Sequence, residues 1–574
     1  MHELKSVAVE NTAQAYLELL EVLGVKFFFG NAGTDFASLI DGFARRDLDG
    51  KAHPKPLLIT HEAVVVAMAH GYHLATGEPP FAMVHTTPGT ANALGALMNA
   101  CRANIPLILT AGRTPLTESG MVGSRERPIH WGQESFDQGA MVREFVKWDY
   151  ELRNFAQLET VVRRAFGIAM SEPRGPVYLT LAREVLAEEH RQFTLSTAPA
   201  GFPLSIRMPD MRSVEHLAEF ITEARRPLII AQSAGRDVAA VAQLAALADS
   251  FALPVVEYPT PLFMNLPASH PMHLGYSPGH LLAEADLIVA LECDVPWFPH
   301  LEHCGPDTRV VHVGIDPGHS RYPVWGFRID LGIDATAAAT LPMLSAALAP
   351  HRARCAARIE ERRERLEREH RAQRESWAEN ARKLRSADYL SFEWVSHCLG
   401  RIKDANTLFV NEYDVVLPHL APELPGSFFT HASAGYLGWG LGAALGLRLG
   451  APDKTVIAVV GDGAYIFGAP TAAHLTSATM GLPAITIICN NGGWGAMYRA
   501  TRSVHPEGWA MRSGNLPFVR FGMDPAYETI VQAFGGHGEA VSDPAGFEAA
   551  LERALRIVRD EGRQVVINAR CRKL

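Results

Sequence analysis

Two glycine-bearing turns in the last third of the chain carry the strongest chemical signal. The apolar run TVIAVV (455–460) leads into Gly461-Asp462-Gly463. After 26 further residues the run AITIIC (484–489) leads into Asn490-Asn491-Gly492-Gly493. Parallel strands put their C-terminal ends on one edge of a sheet, where open α/β sheets bind ligands, so Asp462 and the asparagine pair are expected to converge. A carboxylate, a carboxamide oxygen and a backbone carbonyl suit Mg²⁺, which takes oxygen ligands in a tight octahedron and borrows others from phosphate and water. The glycines let the backbone approach phosphate oxygens and offer amide donors.

Further candidates lie at other strand ends. Glu62 follows LLIT (57–60) and opens the helical pattern AVVVAMAHGYHLATG. An acidic residue is favourable at any helix N-terminus, so position alone leaves its role open. His85 closes FAMVH (81–85), and His300 ends the segment CDVPWFPH (293–300). Either could pass protons near neutral pH, and either could be a hydrogen-bonded structural histidine.

These residues need a scaffold of parallel strands, and the sequence supplies three. Short β-branched runs alternate with helical patterns in three blocks, the mark of doubly wound α/β domains with parallel sheets. The first holds KFFFG (26–30), LLIT, FAMVHT, LILTAG (107–112) and VYLTL (177–181). The second holds LIIA (228–231), VVEY (255–258), LIVALE (287–292) and VVHVGID (310–316), and the third LFVNE (408–412), the two runs above and VVINAR (565–570). A polar, proline-bearing linker is expected at 194–210. The Arg- and Glu-rich stretch 351–385 reads as a connecting helix, solvated because it lacks a sustained apolar seam.

The segment from Gly461 to Asn491 resembles the thiamine-diphosphate-binding motif in its end residues and its spacing. The resemblance implies that Asp462 and Asn491 are side-chain ligands to Mg²⁺, with the Gly493 carbonyl as third ligand and Gly461 and Gly463 against the diphosphate. The stretch from His61 to Gly112 is similar to the pyrimidine-binding domain of the same superfamily. Glu62 would then be the carboxyl group that activates the cofactor through its aminopyrimidine. Ala434–Gly440 (AGYLGWG) resembles the segment that places a large apolar residue, here Leu437, beneath the cofactor. The domains implied are pyrimidine-binding at 1–190, central at 205–345, a helical linker at 346–385 and diphosphate-binding at 386–574. Because Glu62 and Asp462 lie on different domains, the superfamily likeness also implies a homodimer or homotetramer whose active sites are shared between subunits.

Within that superfamily the likeness runs to benzoylformate decarboxylase. Gly30-Asn31-Ala32-Gly33-Thr34 resembles its substrate-carboxylate loop, with Thr34 keeping the hydroxyl, and His85 and His300 match its two active-site histidines. Trp131-Gly132-Gln133-Glu134 instead resembles a glutamine–glutamate pair of acetolactate synthase, which makes Gln133 a candidate contact for substrate. The turn Ala231–Arg236 (AQSAGR) carries one glycine and no convincing nucleotide fingerprint, so FAD is not expected in the central domain. The implied activity is non-oxidative decarboxylation of a 2-keto acid, with carboligation or carbon–carbon lysis as the alternatives.

Composition narrows the setting. The formal charge of −9 argues against a nucleic-acid partner, which would call for a basic stripe. Seven scattered cysteines without a C-x-x-C pair read as reduced thiols. The N-terminal sequence lacks the basic-then-apolar order of a signal peptide, and no apolar run reaches the length of a membrane span. A cytoplasmic location is therefore expected.

Overall fold

A computed structural model describes residues 3–198 and 205–573; the middle of the expected linker, 199–204, lies outside the described residues, as do 1, 2 and 574. Three α/β domains follow one another, each built on a parallel sheet with helices on both faces. The first sheet runs, edge to edge, Lys55–Leu58, Phe27–Gly30, Phe81–Val84, Ile108–Arg113, Val177–Ala182 and Asp149–Leu152. The third runs Phe428–Thr430, Thr407–Glu412, Thr455–Gly461, Ile485–Asn490, Val565–Arg570 and His537–Val541. Numbered by chain order within each sheet, both read 2-1-3-4-6-5, and the five-stranded central sheet reads 2-1-3-4-5. In each, order reverses beside the first strand, which leaves a crevice at the C-terminal strand ends. An antiparallel pair, Leu4–Ala8 with Gln192–Ser196, closes the first domain.

The central strands of each sheet are buried on both faces, as in Thr455–Gly461 and Val177–Ala182, which is why they read as unbroken β-branched runs. The helix Arg352–Arg385 is more than a solvated connector. Cys355, Ile359, Arg362, Leu366 and His370 form a buried stripe at three- and four-residue spacing. Buried Arg362 donates to the carbonyl oxygens of Phe251 and Ala252 at 2.6 and 2.8 Å, tying the helix to the central domain. Among the described residues no helix is long and apolar enough to cross a membrane.

The first and third domains meet along one seam, where helix Glu62–Thr76 lies against helix Trp439–Gly450. Glycines let the two backbones touch: a β-carbon on Gly446 would run into the Met68 carbonyl oxygen, and one on Gly71 into that of Ala443. The Trp439 indole N–H donates to His70 Nδ1 at 3.1 Å inside this contact, and burial pushes the His70 imidazole down to about 3. The atoms that a β-carbon on Gly446 would meet, in Met68, Gly71 and Tyr72, are all main chain, so Gly446→Ala must part the helices. It is expected to cost about 1–3 kcal/mol in denaturant unfolding. Gly326→Ala, which meets open space, should change little by the same measurement.

Candidate active site

Three adjacent strands of the first sheet deliver their C-terminal ends to one place. Lys55–Leu58 leads to Glu62, Phe27–Gly30 to Asn31, Thr34 and Asp35, and Phe81–Val84 to His85. Glu62 opens its helix, where the dipole favours its charge. Two carboxamides hold it: Asn31 Nδ2 donates to Oε1 at 2.9 Å and Asn92 Nδ2 to Oε2 at 2.5 Å. Gly89 leaves room for it, since a β-carbon there would lie 3.3 Å from Oε1. Gly89 and Asn92, in the run Gly89-Thr90-Ala91-Asn92, therefore help to orient the carboxylate.

His85 caps the end of its strand, and its Nδ1 lies 2.5 Å from Asp35 Oδ1. The Asp35 hydrogen bond raises the imidazole above the usual histidine range, against the opposing effect of burial, with the Asp35 charge, Gln133 and the Glu62 charge adding to the rise. The loop after Ile108–Arg113 completes the cluster. Thr86 Oγ1 donates to Gln133 Oε1 at 3.4 Å, and Thr34 Oγ1 lies 3.5 Å from His130 Nε2. The backbone N–H of Glu126 donates to His130 Nδ1 at 3.2 Å, so the ring proton sits on Nε2 and points at Thr34. Burial and Arg183 lower the His130 imidazole, so the two histidines are pushed in opposite directions. Sequence reasoning singled out neither His130 nor Asp35. His300 stands exposed on a loop of the central domain, and among the described residues no hydrogen bond joins it to this cluster.

The third sheet builds the other half. Asp462 ends Thr455–Gly461, next to Ile485–Asn490, and the two turns converge as expected. Gly463 N–H donates to Asp462 Oδ1 at 2.9 Å, Gly492 N–H to Oδ2 at 2.8 Å, and Gly493 N–H to Asn491 Oδ1 at 3.1 Å. The glycines make room for side chains: a β-carbon on Gly461 would lie 2.6 Å from Asp414 Oδ2, and one on Gly463 would enter the Trp494 ring. Burial raises the Asp462 carboxyl, and burial with the Asp462 charge pushes Asp414 up to about 8.

These observations test the fit of a metal. Among the described residues no group of three or more His, Cys, Asp or Glu side chains could hold one. The donors at the Asp462–Gly493 turns are one buried carboxylate, a carboxamide and backbone carbonyls, an all-oxygen set that needs further ligands. That donor set fits Mg²⁺ arriving with a diphosphate, and a cation there would offset the buried acidic charge.

Leu437 sits half-buried in a turn before Trp439–Gly450. Gly438 is left-handed at φ +83°, and a β-carbon on it would collide with the Gly468 backbone at 2.5 Å. Buried Glu412 fixes the turn, accepting from Gly438 N–H at 2.6 Å and Gly440 N–H at 2.7 Å. Burial pushes this carboxyl up to about 7, and those N–H groups pull it back. The neighbouring Tyr436 exchanges two hydrogen bonds with the Asn99 side chain, 2.8 Å to its carbonyl and 3.2 Å from its N–H. In the central domain the Gly235 N–H donates to Asn265 Oδ1 at 3.0 Å, and a β-carbon there would meet the Met264 carbonyl. That glycine serves packing between segments of the domain.

Known proteins share this plan. Three family-wide sequence profiles match: thiamine pyrophosphate enzyme N-terminal TPP binding domain at residues 10–141, central domain at 214–344, and C-terminal TPP binding domain at 414–569. A benzoylformate decarboxylase of Pseudomonas aeruginosa is 27% identical over 503 residues, covering 84% of this chain and 86% of its own. A probable 2-ketoarginine decarboxylase of the same organism is 28% identical, covering 95% and 91%. A probable acetolactate synthase large subunit of Methanocaldococcus jannaschii is 22% identical, covering 95% and 89%. Among solved structures, a 4-hydroxybenzoylformate decarboxylase of Rhodococcus jostii superposes with a TM-score of 0.77 at 22% identity, covering 98% of this chain and 99% of its own.

Proposed function

This chain belongs to the thiamine pyrophosphate enzyme family, and from that premise we propose that it is a Mg²⁺-dependent, non-oxidative decarboxylase of a 2-keto acid with a bulky or aromatic side chain. The observation that carries the reading is the grouping of Glu62, Thr34 and the Asp35-bonded His85 at three adjacent strand ends. Thiamine diphosphate, when bound, supplies a nucleophilic carbon and an electron sink for the departing carboxyl group.

The residues of the chain do the rest. Asp462, Asn491 and the Gly493 carbonyl would hold Mg²⁺, with Gly461 and Gly463 against the diphosphate. Leu437 would support the cofactor from below, and Glu62 would bond its aminopyrimidine. Thr34 takes a hydrogen bond from His130 Nε2–H, which leaves its own hydroxyl proton free to donate to the substrate carboxylate. His85, held at Nδ1 by Asp35, would offer a hydrogen-bond donor to the keto oxygen of the substrate. Gln133 lies on the loop above them. Glu62 and Asp462 lie on different domains, and the reading carried over from the family is a site completed between two copies in a homodimer or homotetramer.

The acetolactate-synthase likeness of Gln133-Glu134 supports a second reading, a carboligase or a lyase of acyloins or diketones. CO₂ release separates them. With thiamine diphosphate and Mg²⁺, benzoylformate is expected to yield CO₂ and free aldehyde faster than pyruvate does. Product formed only when an acceptor carbonyl is added would move the assignment to carboligation. No release from either acid despite cofactor binding would sink this substrate assignment.

A further inference from the structure

We infer that Asp35 is the positioning residue of this site, its buried carboxylate holding His85 by Nδ1 so that the imidazole presents Nε2 to the substrate. The inference rests on the reading of His85 as a substrate-facing group, but its geometry stands apart from any choice of substrate. Asp35 is 3% exposed and lies at the start of a short helical turn, 50 residues before His85 in sequence and one strand away in the sheet. Its Oδ1 is 2.5 Å from Nδ1, and its Oδ2 is buried with no hydrogen-bond partner.

Two glycines make the pair possible. A β-carbon on Gly33 would enter the His85 ring, and one on Gly112 would run into Asp35 Oδ2. One strand and the loop after another thus give up side-chain volume so that one carboxylate and one imidazole can meet. A salt bridge kept for stability alone would gain nothing from an unpaired buried oxygen, because such an atom costs free energy. The groups that face the imidazole are Asp35, Glu62 and Gln133. With Nδ1–H committed to Asp35, one tautomer is selected, and the carboxylate favours the charged ring.

The pair also makes stability depend on pH. A histidine raised on folding adds stability that is fully present below its unfolded value, about pH 6.5, and is lost as pH rises through the raised folded value. That contribution should be present in the wild type and absent from Asp35→Asn.

The test is a histidine-¹⁵N NMR titration of the holoenzyme, with the His85 signal assigned by its loss in His85→Gln. Asp35→Asn should move the His85 midpoint down by a unit or more. It should also shift the alkaline limb of the kcat–pH profile downward and lower kcat about 100-fold, with KM changed far less. An unchanged midpoint overturns the proposal. Should Asp35→Asn not fold, the wild type still decides. Its Nδ1 should carry a far-downfield proton signal that is absent from His85→Gln, and a wild type without that signal also overturns the proposal. A shifted midpoint in an enzyme that decarboxylates no keto acid would retain Asp35 as the positioning residue and reject the function proposed above.

Discussion

Glu62→Gln is expected to lower kcat by about 10²–10⁴-fold, the range that one positioned acid–base group contributes. Thiamine diphosphate affinity should change much less. The substitution preserves size but not chemistry. The carboxylate accepts from Asn31 on one oxygen and Asn92 on the other, so both neighbours are donors. A glutamine would turn its own amino group towards one of them, leaving two donors opposed in a half-buried site. It also cannot carry the proton that a carboxyl group would share with the cofactor ring. The check is kcat at saturating cofactor, beside a binding titration followed by tryptophan fluorescence. Retention of a tenth or more of wild-type kcat, with cofactor bound, would remove Glu62 from the catalytic role.

Asp462→Asn should act on the other half of the site and in the other parameter. With Asp462 proposed as a direct ligand, its loss is expected to weaken Mg²⁺ and cofactor retention by about 100-fold or more, exceeding the 10–100-fold typical of residues behind a ligand. The substituted carboxamide would still accept one backbone N–H, but the charge and one acceptor are lost from a place where Gly463 and Gly492 both aim donors. Desalting should then strip the variant of activity that the wild type keeps, and excess Mg²⁺ with thiamine diphosphate should restore part of it. Retention of cofactor like that of the wild type would place the metal elsewhere. The two substitutions therefore divide cleanly: one leaves a loaded enzyme that cannot turn over, the other an enzyme that cannot stay loaded.

The legible parts of the fold were the strands buried on both faces. Thr455–Gly461, Ile485–Asn490 and Leu287–Leu291 have neighbours on either side and read as continuous apolar runs. The edges did not. Asp149–Leu152, Leu331–Asp334 and His537–Val541 are short and partly polar because one side of each faces no strand, and Phe428–Thr430 is too brief to show a pattern. The same contrast runs through the site. Asp462 and Asn491 belong to turns with glycines at fixed spacing, and Glu62 follows a strand directly, so their types could be read against a local frame. Asp35 is recognisable only once the sheet brings its strand beside that of His85. His130 lies on a loop with little periodic signal, and Glu412 acts by accepting backbone N–H groups 26 and 28 residues further on. Contacts made across a sheet, or to main chain, leave no mark on spacing.

The glycine seam between Glu62–Thr76 and Trp439–Gly450 has a mechanical consequence. One of these helices begins at Glu62, and the other follows directly on the turn that carries Leu437. Main chain pressed on main chain leaves no side chain to change rotamer, so the two domains cannot slide or hinge at this contact without breaking it. Glu62 and Leu437 then keep a fixed offset within one polypeptide. Whatever must yield to admit a substrate has to be sought in the loops: the stretch from Thr114 to Gln138, pinned by the Arg113–Glu134 ion pair at 2.9 Å, and the chain beyond Asn491. The protein keeps its frame stiff and leaves compliance to its rim.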